Sequence, residues 1–118
     1  MRRIGTKVVG AGLSIAGAII LTMLLLTPST NPPVDGMIWD KAVHALAYFV
    51  VCLPVLLVWP RLWPVVLGLA ALHGAATELI QPMVGRTAEF ADFVANMVGA
   101  GLAVLVARAF TRRADEKA

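Results

Sequence analysis

A chain of 118 residues in which 59% are hydrophobic and only 14% charged is too apolar for an ordinary soluble domain. Mean hydropathy of +0.83 places it among membrane proteins. The formal charge of +3 comes mostly from basic residues on one side of the apolar stretches, so it speaks for membrane anchoring and against a nucleic-acid partner.

The first apolar stretch, 8–26, follows Met1-Arg2-Arg3. It is longer than the roughly 7 to 15 residues of a signal-peptide core and lacks a small-residue cleavage site, so it is expected to remain as a span. Thr27-Pro28-Ser29-Thr30-Asn31-Pro32-Pro33 ends it, because proline lacks an amide donor and pushes its neighbours toward extended backbone. The second stretch, 42–59, has Asp40, Lys41, His44 and Tyr48 around its start and Pro54 in its interior, where a kink is expected unless neighbours support the freed carbonyl. Cys52 is the lone cysteine, which rules out an intrachain disulfide and reads as a small core side chain. Trp59-Pro60-Arg61-Leu62-Trp63-Pro64 is a short hairpin into the third stretch, 62–80, which Pro82 and Gly85 close. The fourth stretch is 93–110.

A bilayer core of about 30 Å needs roughly 20 residues of helix, so four such stretches predict an all-α membrane protein. The expected architecture is four transmembrane helices in an antiparallel bundle, a single domain over 1–118. Arg2, Arg3, Lys7, Arg61, Arg108, Arg112, Arg113 and Lys117 fall on one side of that bundle, leaving only Lys41 and Arg86 on the other. By the positive-inside rule both termini are expected to be cytoplasmic. Trp39, Tyr48, Trp59 and Trp63 lie near expected interfaces, as an aromatic belt requires.

Strong polar groups in the spans fall toward the opposite, outward end. Asp40, His44 and Tyr48 succeed one another four residues apart and form one stripe, with Lys41 at its flank. On the third helix His73, Thr77 and Gln81 repeat at the same interval, with Glu78 bordering them. On the fourth, Asp92 and Asn96 lead into Gly99 and Ala103, a smooth line that lets another helix approach closely. Antiparallel packing predicts one pocket containing His44, Tyr48, Glu78, Gln81, Asp92 and Asn96, with Asp40, Lys41 and Arg86 around its mouth. The inner halves of these helices carry no charge, so a site entered from outside fits better than a route across the membrane.

A carboxylate in lipid needs a partner or a proton, which makes Glu78 the strongest single candidate, with Lys41 or Arg86 as the expected partner. His44, Glu78 and Asp92 are the candidates for acid–base chemistry, and His73, deeper and outside the motif, reads as structural. No paired-histidine motif points to a metal, and no cofactor is expected. Ser14 and Ser29 lie away from the polar layer, so no nucleophile is in place.

Three blocks, Asp40-Lys41-x2-His44-x3-Tyr48, Glu78-x2-Gln81 followed by Arg86, and Asp92-x3-Asn96-x2-Gly99, resemble the VanZ-like family of small integral membrane proteins. The resemblance covers 40–99, about half of the chain, with the blocks in order and at matching spacing. Ala88 with Glu89 and Phe90 before Asp92 departs from it, where a small hydroxyl residue is expected in the arginine loop. The resemblance nominates Asp40, Lys41, His44, Tyr48, Glu78, Gln81, Arg86, Asp92 and Asn96 as ligand-binding residues, and implies a place in the cell envelope and a relation to teicoplanin resistance. Three functions follow as expectations. The first is binding or modification of an outer-leaflet lipid or lipid-linked precursor, with Lys41 and Arg86 holding an anionic head group. The second is a non-catalytic scaffold recruiting an envelope membrane protein, and the third a small transporter or flippase.

Overall fold

The computed structural model describes residues 2–28, 38–86 and 88–117, without the side chains of Arg2, Ile38 and Trp39. Its helices are α1 (Arg2–Leu26), α2 (Ile38–Val58), α3 (Trp63–Ile80) and α4 (Phe90–Lys117), with short 3-10 turns at Pro60–Leu62 and Gln81–Val84. Among the described residues there is no strand. Four helical segments are long and apolar enough to cross a membrane.

Helix positions match the four apolar stretches, but several ends differ. α1 starts ahead of residue 8, α2 ahead of 42, and α4 runs from 90 to 117 rather than from 93 to 110. Hydropathy falls at the first charges, whereas backbone hydrogen bonding continues through them, because Arg and Lys are good helix formers. At roughly 1.5 Å per residue the 28 residues of α4 are about 42 Å long, more than a hydrocarbon core requires. α1 ends at Leu26, just before Pro28. Most of the proline-rich break, 29–37, lies outside the described residues.

Small side chains fill the interior. Ala70, Ala95, Ala100, Ala103 and Ala107 are buried with Tyr48, Cys52 and Leu56, whereas Ile4, Leu13, Ile19, Leu69, Leu79 and Leu105 face outward. Such a distribution suits surroundings as apolar as the core, where association depends on close packing rather than on hiding large aliphatics.

The closest approach joins α2 and α4, the most extensive helix pair. A Cβ added at Gly99 would overlap the Ala45 carbonyl, so only glycine lets the two backbones meet there. α1 meets α2 in the same way, since a Cβ at Gly10 would lie 2.9 Å from the Pro54 carbonyl and one at Gly17 would lie 3.2 Å from Val51. That contact also flanks the proline. α2 continues through Pro54 to Val58, and the Val55 N–H donates to Ser14 Oγ at 3.0 Å. Lys7 over Trp59 and Arg108 over Trp63, at 5.8 and 5.9 Å, tie the helices at their basic end.

At the other end the chain turns at Gly85, whose φ of 74° is left-handed and closes the Gln81–Val84 turn. The starts of α2 and α4 gather there with the ends of α1 and α3, as the Lys41–Asp92 and Gln81–Leu25 bonds require.

Candidate functional site

The first turn of α4 attracts acidic groups, because its unpaired N–H groups carry partial positive charge. Glu89 precedes the helix and its carbonyl accepts the Asp92 N–H at 3.0 Å. The Lys41 ammonium reaches across from α2 and donates to Glu89 Oε2 at 2.5 Å, to Asp92, and to Asp40 Oδ2 at 3.4 Å. Lys41 is 22% and Asp92 7% exposed by side chain, so this is a half-buried ion-pair network. One cation holds three carboxylates.

His44 stands one turn deeper. Its Nδ1 lies 3.0 Å from Asn96 Oδ1 and its Nε2 3.8 Å from Asp92 Oδ2. With the Asn96 amide so oriented, Nδ1 donates to Oδ1, and in the neutral ring Nε2 is left as an acceptor. Protonation would turn Nε2 into a donor toward Asp92. Asp40, Lys41, His44, Asp92 and Asn96 therefore come together as expected, and the stripe Asp92, Asn96, Gly99 and Ala103 is buried along its length.

The rest of the expected pocket divides among three other places. Tyr48 is buried and its hydroxyl lies 2.7 Å from His73 Nδ1, while His73 Nε2 lies 2.7 Å from Thr22 Oγ1. Thr22 Oγ1 donates to the Ala18 carbonyl at 2.7 Å, which uses its only proton. His73 must then donate through Nε2 and accept the Tyr48 proton at Nδ1, a closed chain that fastens α1, α2 and α3. Gln81 is buried and donates to the Leu25 carbonyl at 3.4 Å, leaving its Oε1 without a partner among the described residues. Arg86 donates to the Leu24 and Thr27 carbonyls at 3.4 and 3.1 Å, where it caps the end of α1.

Glu78 belongs to neither group. On α3 the residues 73, 77 and 81 turn toward α1 and α2, whereas Glu78 is rotated about 100° from Thr77 and faces α4. The Glu89 backbone N–H hydrogen-bonds its carboxylate, which is within electrostatic reach of Asp92, His44 and Lys41. Glu78 also lines an open groove of about 430 Å³ with Ala75, Leu79, Ala88, Phe90 and Phe93. Neither Lys41 nor Arg86 pairs with it among the described residues, in contrast to the expectation from sequence. Phase explains the difference: Arg86 leaves Gly85 toward α1, and the carboxylates of α4's first turn are nearer to Lys41.

Three side chains that sequence reasoning passed over take part. Glu89 lies three residues before Asp92, a spacing that puts both on one face and was the signal for it. Thr22 and Ser14 serve as packing hydroxyls on α1, whose buried or half-buried positions Gly10, Ser14, Gly17, Leu21 and Leu25 follow helical spacing. As for metal binding, Asp40, His44 and Asp92 offer ligand atoms within 4.8 Å of one another, but the Lys41 ammonium already bonds both carboxylates, and an ion would have to displace it. No protein-family model, curated protein or solved structure matches the chain.

Proposed function

We propose that the chain is a four-span antiparallel bundle of the bacterial cytoplasmic membrane, with both termini cytoplasmic, whose polar end binds an outer-leaflet lipid or lipid-linked envelope precursor. One observation carries this reading: the groove beside Glu78 places an apolar wall and a carboxylate next to the Lys41, His44 and Asp92 network. An amphiphile needs both, a path for its chain and polar groups for its head. The three polar blocks support a VanZ-like relationship, and with it a role in the cell envelope that bears on teicoplanin susceptibility. His44, whose Nε2 lies 3.8 Å from Asp92 Oδ2, is the residue to examine for acid–base chemistry.

A scaffold function is the second reading. It is favoured by the internal engagement of Lys41, Arg86, Tyr48 and His73, all of which bond other helices of the same chain. The two readings separate on Ala75, an exposed groove residue with no polar role. Ala75→Trp fills the groove from the rim. Lipid binding expects the purified variant to retain less co-purifying lipid by mass spectrometry while folding normally; an unchanged lipid complement favours the scaffold.

A further inference from the structure

Among the described residues four carboxylates gather at the polar end, on Asp40, Glu78, Glu89 and Asp92, and Lys41 bonds three of them. Among the described residues Glu78 has no cationic side chain within ion-pair distance, and Arg86 is turned away onto the carbonyls of α1. A charged carboxylate beside an apolar surface, held by one backbone N–H alone, is costly unless a cation answers it or it takes up a proton. The walls next to it are Leu79, Phe90 and Phe93, with Leu79 and Phe90 each 78% exposed at the groove's edge.

We infer that this groove takes a lipid whose head group carries a primary ammonium, with the ammonium on Glu78 and an acyl chain along Leu79, Phe90 and Phe93. The inference rests on the lipid-binding reading above and adds the charge of the head group. It reverses the sign expected from sequence, where Lys41 and Arg86 were to hold an anion. An anionic head group without an amine would enter a site with four carboxylates and one lysine whose donors are already engaged. Repulsion would disfavour it.

Full-length protein in detergent is mixed with equimolar phosphatidylethanolamine and phosphatidylglycerol of matched acyl chains, and bound lipid is read by native mass spectrometry. Wild type should retain about fivefold more phosphatidylethanolamine, the preference expected of one partly exposed ion pair. Glu78→Gln should lower the retained phosphatidylethanolamine several-fold and so shrink the preference, leaving only the residual repulsion of the anionic lipid, and Ala75→Trp should remove both. Equal retention by wild type, or an excess of phosphatidylglycerol, overturns the ammonium assignment; if Ala75→Trp still removes both lipids, the lipid-binding reading stands. Retention of both lipids that Ala75→Trp leaves unchanged overturns the two together, and a preference undiminished by Glu78→Gln overturns the role of Glu78.

Discussion

Lys41 is the residue on which the polar end depends, because its single ammonium keeps Asp40, Glu89 and Asp92 from repelling one another. Lys41→Met should lower stability by about 1 to 2 kcal/mol, less than when one partner of a fully buried pair is removed, because solvent screens this half-buried network in part. Chemical unfolding in detergent measures it. Adding Asp92→Asn should return about 1 kcal/mol or more, since the cycle then removes the stranded charge as well. This cluster was legible in the chain because Asp40, His44, Asp92 and Asn96 repeat at helical intervals. Glu89 was less legible, since it precedes α4 and falls off the four-residue repeat, and the separation of Glu78 from Gln81 depends on a rotation of three residues that a stripe drawn along α3 smooths over.

Between elements, glycine decides where backbones touch. Gly99→Ala should destabilise the protein by about 3 kcal/mol or prevent folding, because the new methyl meets the Ala45 carbonyl rather than a side chain that can move. Gly101→Ala is the matched control: nothing lies within 4 Å of its added Cβ, and helix propensity favours alanine by about 1 kcal/mol. Thermal unfolding of the two variants should therefore shift in opposite directions. Ser14→Ala, which removes the acceptor from the Val55 N–H beside Pro54, should cost about 1 kcal/mol. The α4 stripe could be read from sequence because polar residues mark its start. α1 has no such marker: with apolar residues on every face, periodicity fades, and only Gly10, Ser14 and Gly17 betray the side that packs.

For the whole molecule, the positions of the four helices follow from length and hydropathy, while their ends depend on hydrogen bonding that hydropathy does not register. Reporters fused to each terminus should both give cytoplasmic signals, and one placed near Asn31 an external signal. External signals at both termini would invert the polar end and sink the outer-leaflet proposal. The pairing of α2 with α4 also has a consequence for synthesis. Lys41 bonds Asp92, 51 residues later in the chain. At roughly 5 to 20 residues per second a ribosome takes about 3 to 10 s to bring that partner out. Through that interval α2 has beside it only α1 and, once it is made, α3, and besides Asp40 its ammonium has only water, lipid phosphate or the insertion machinery until the last helix arrives.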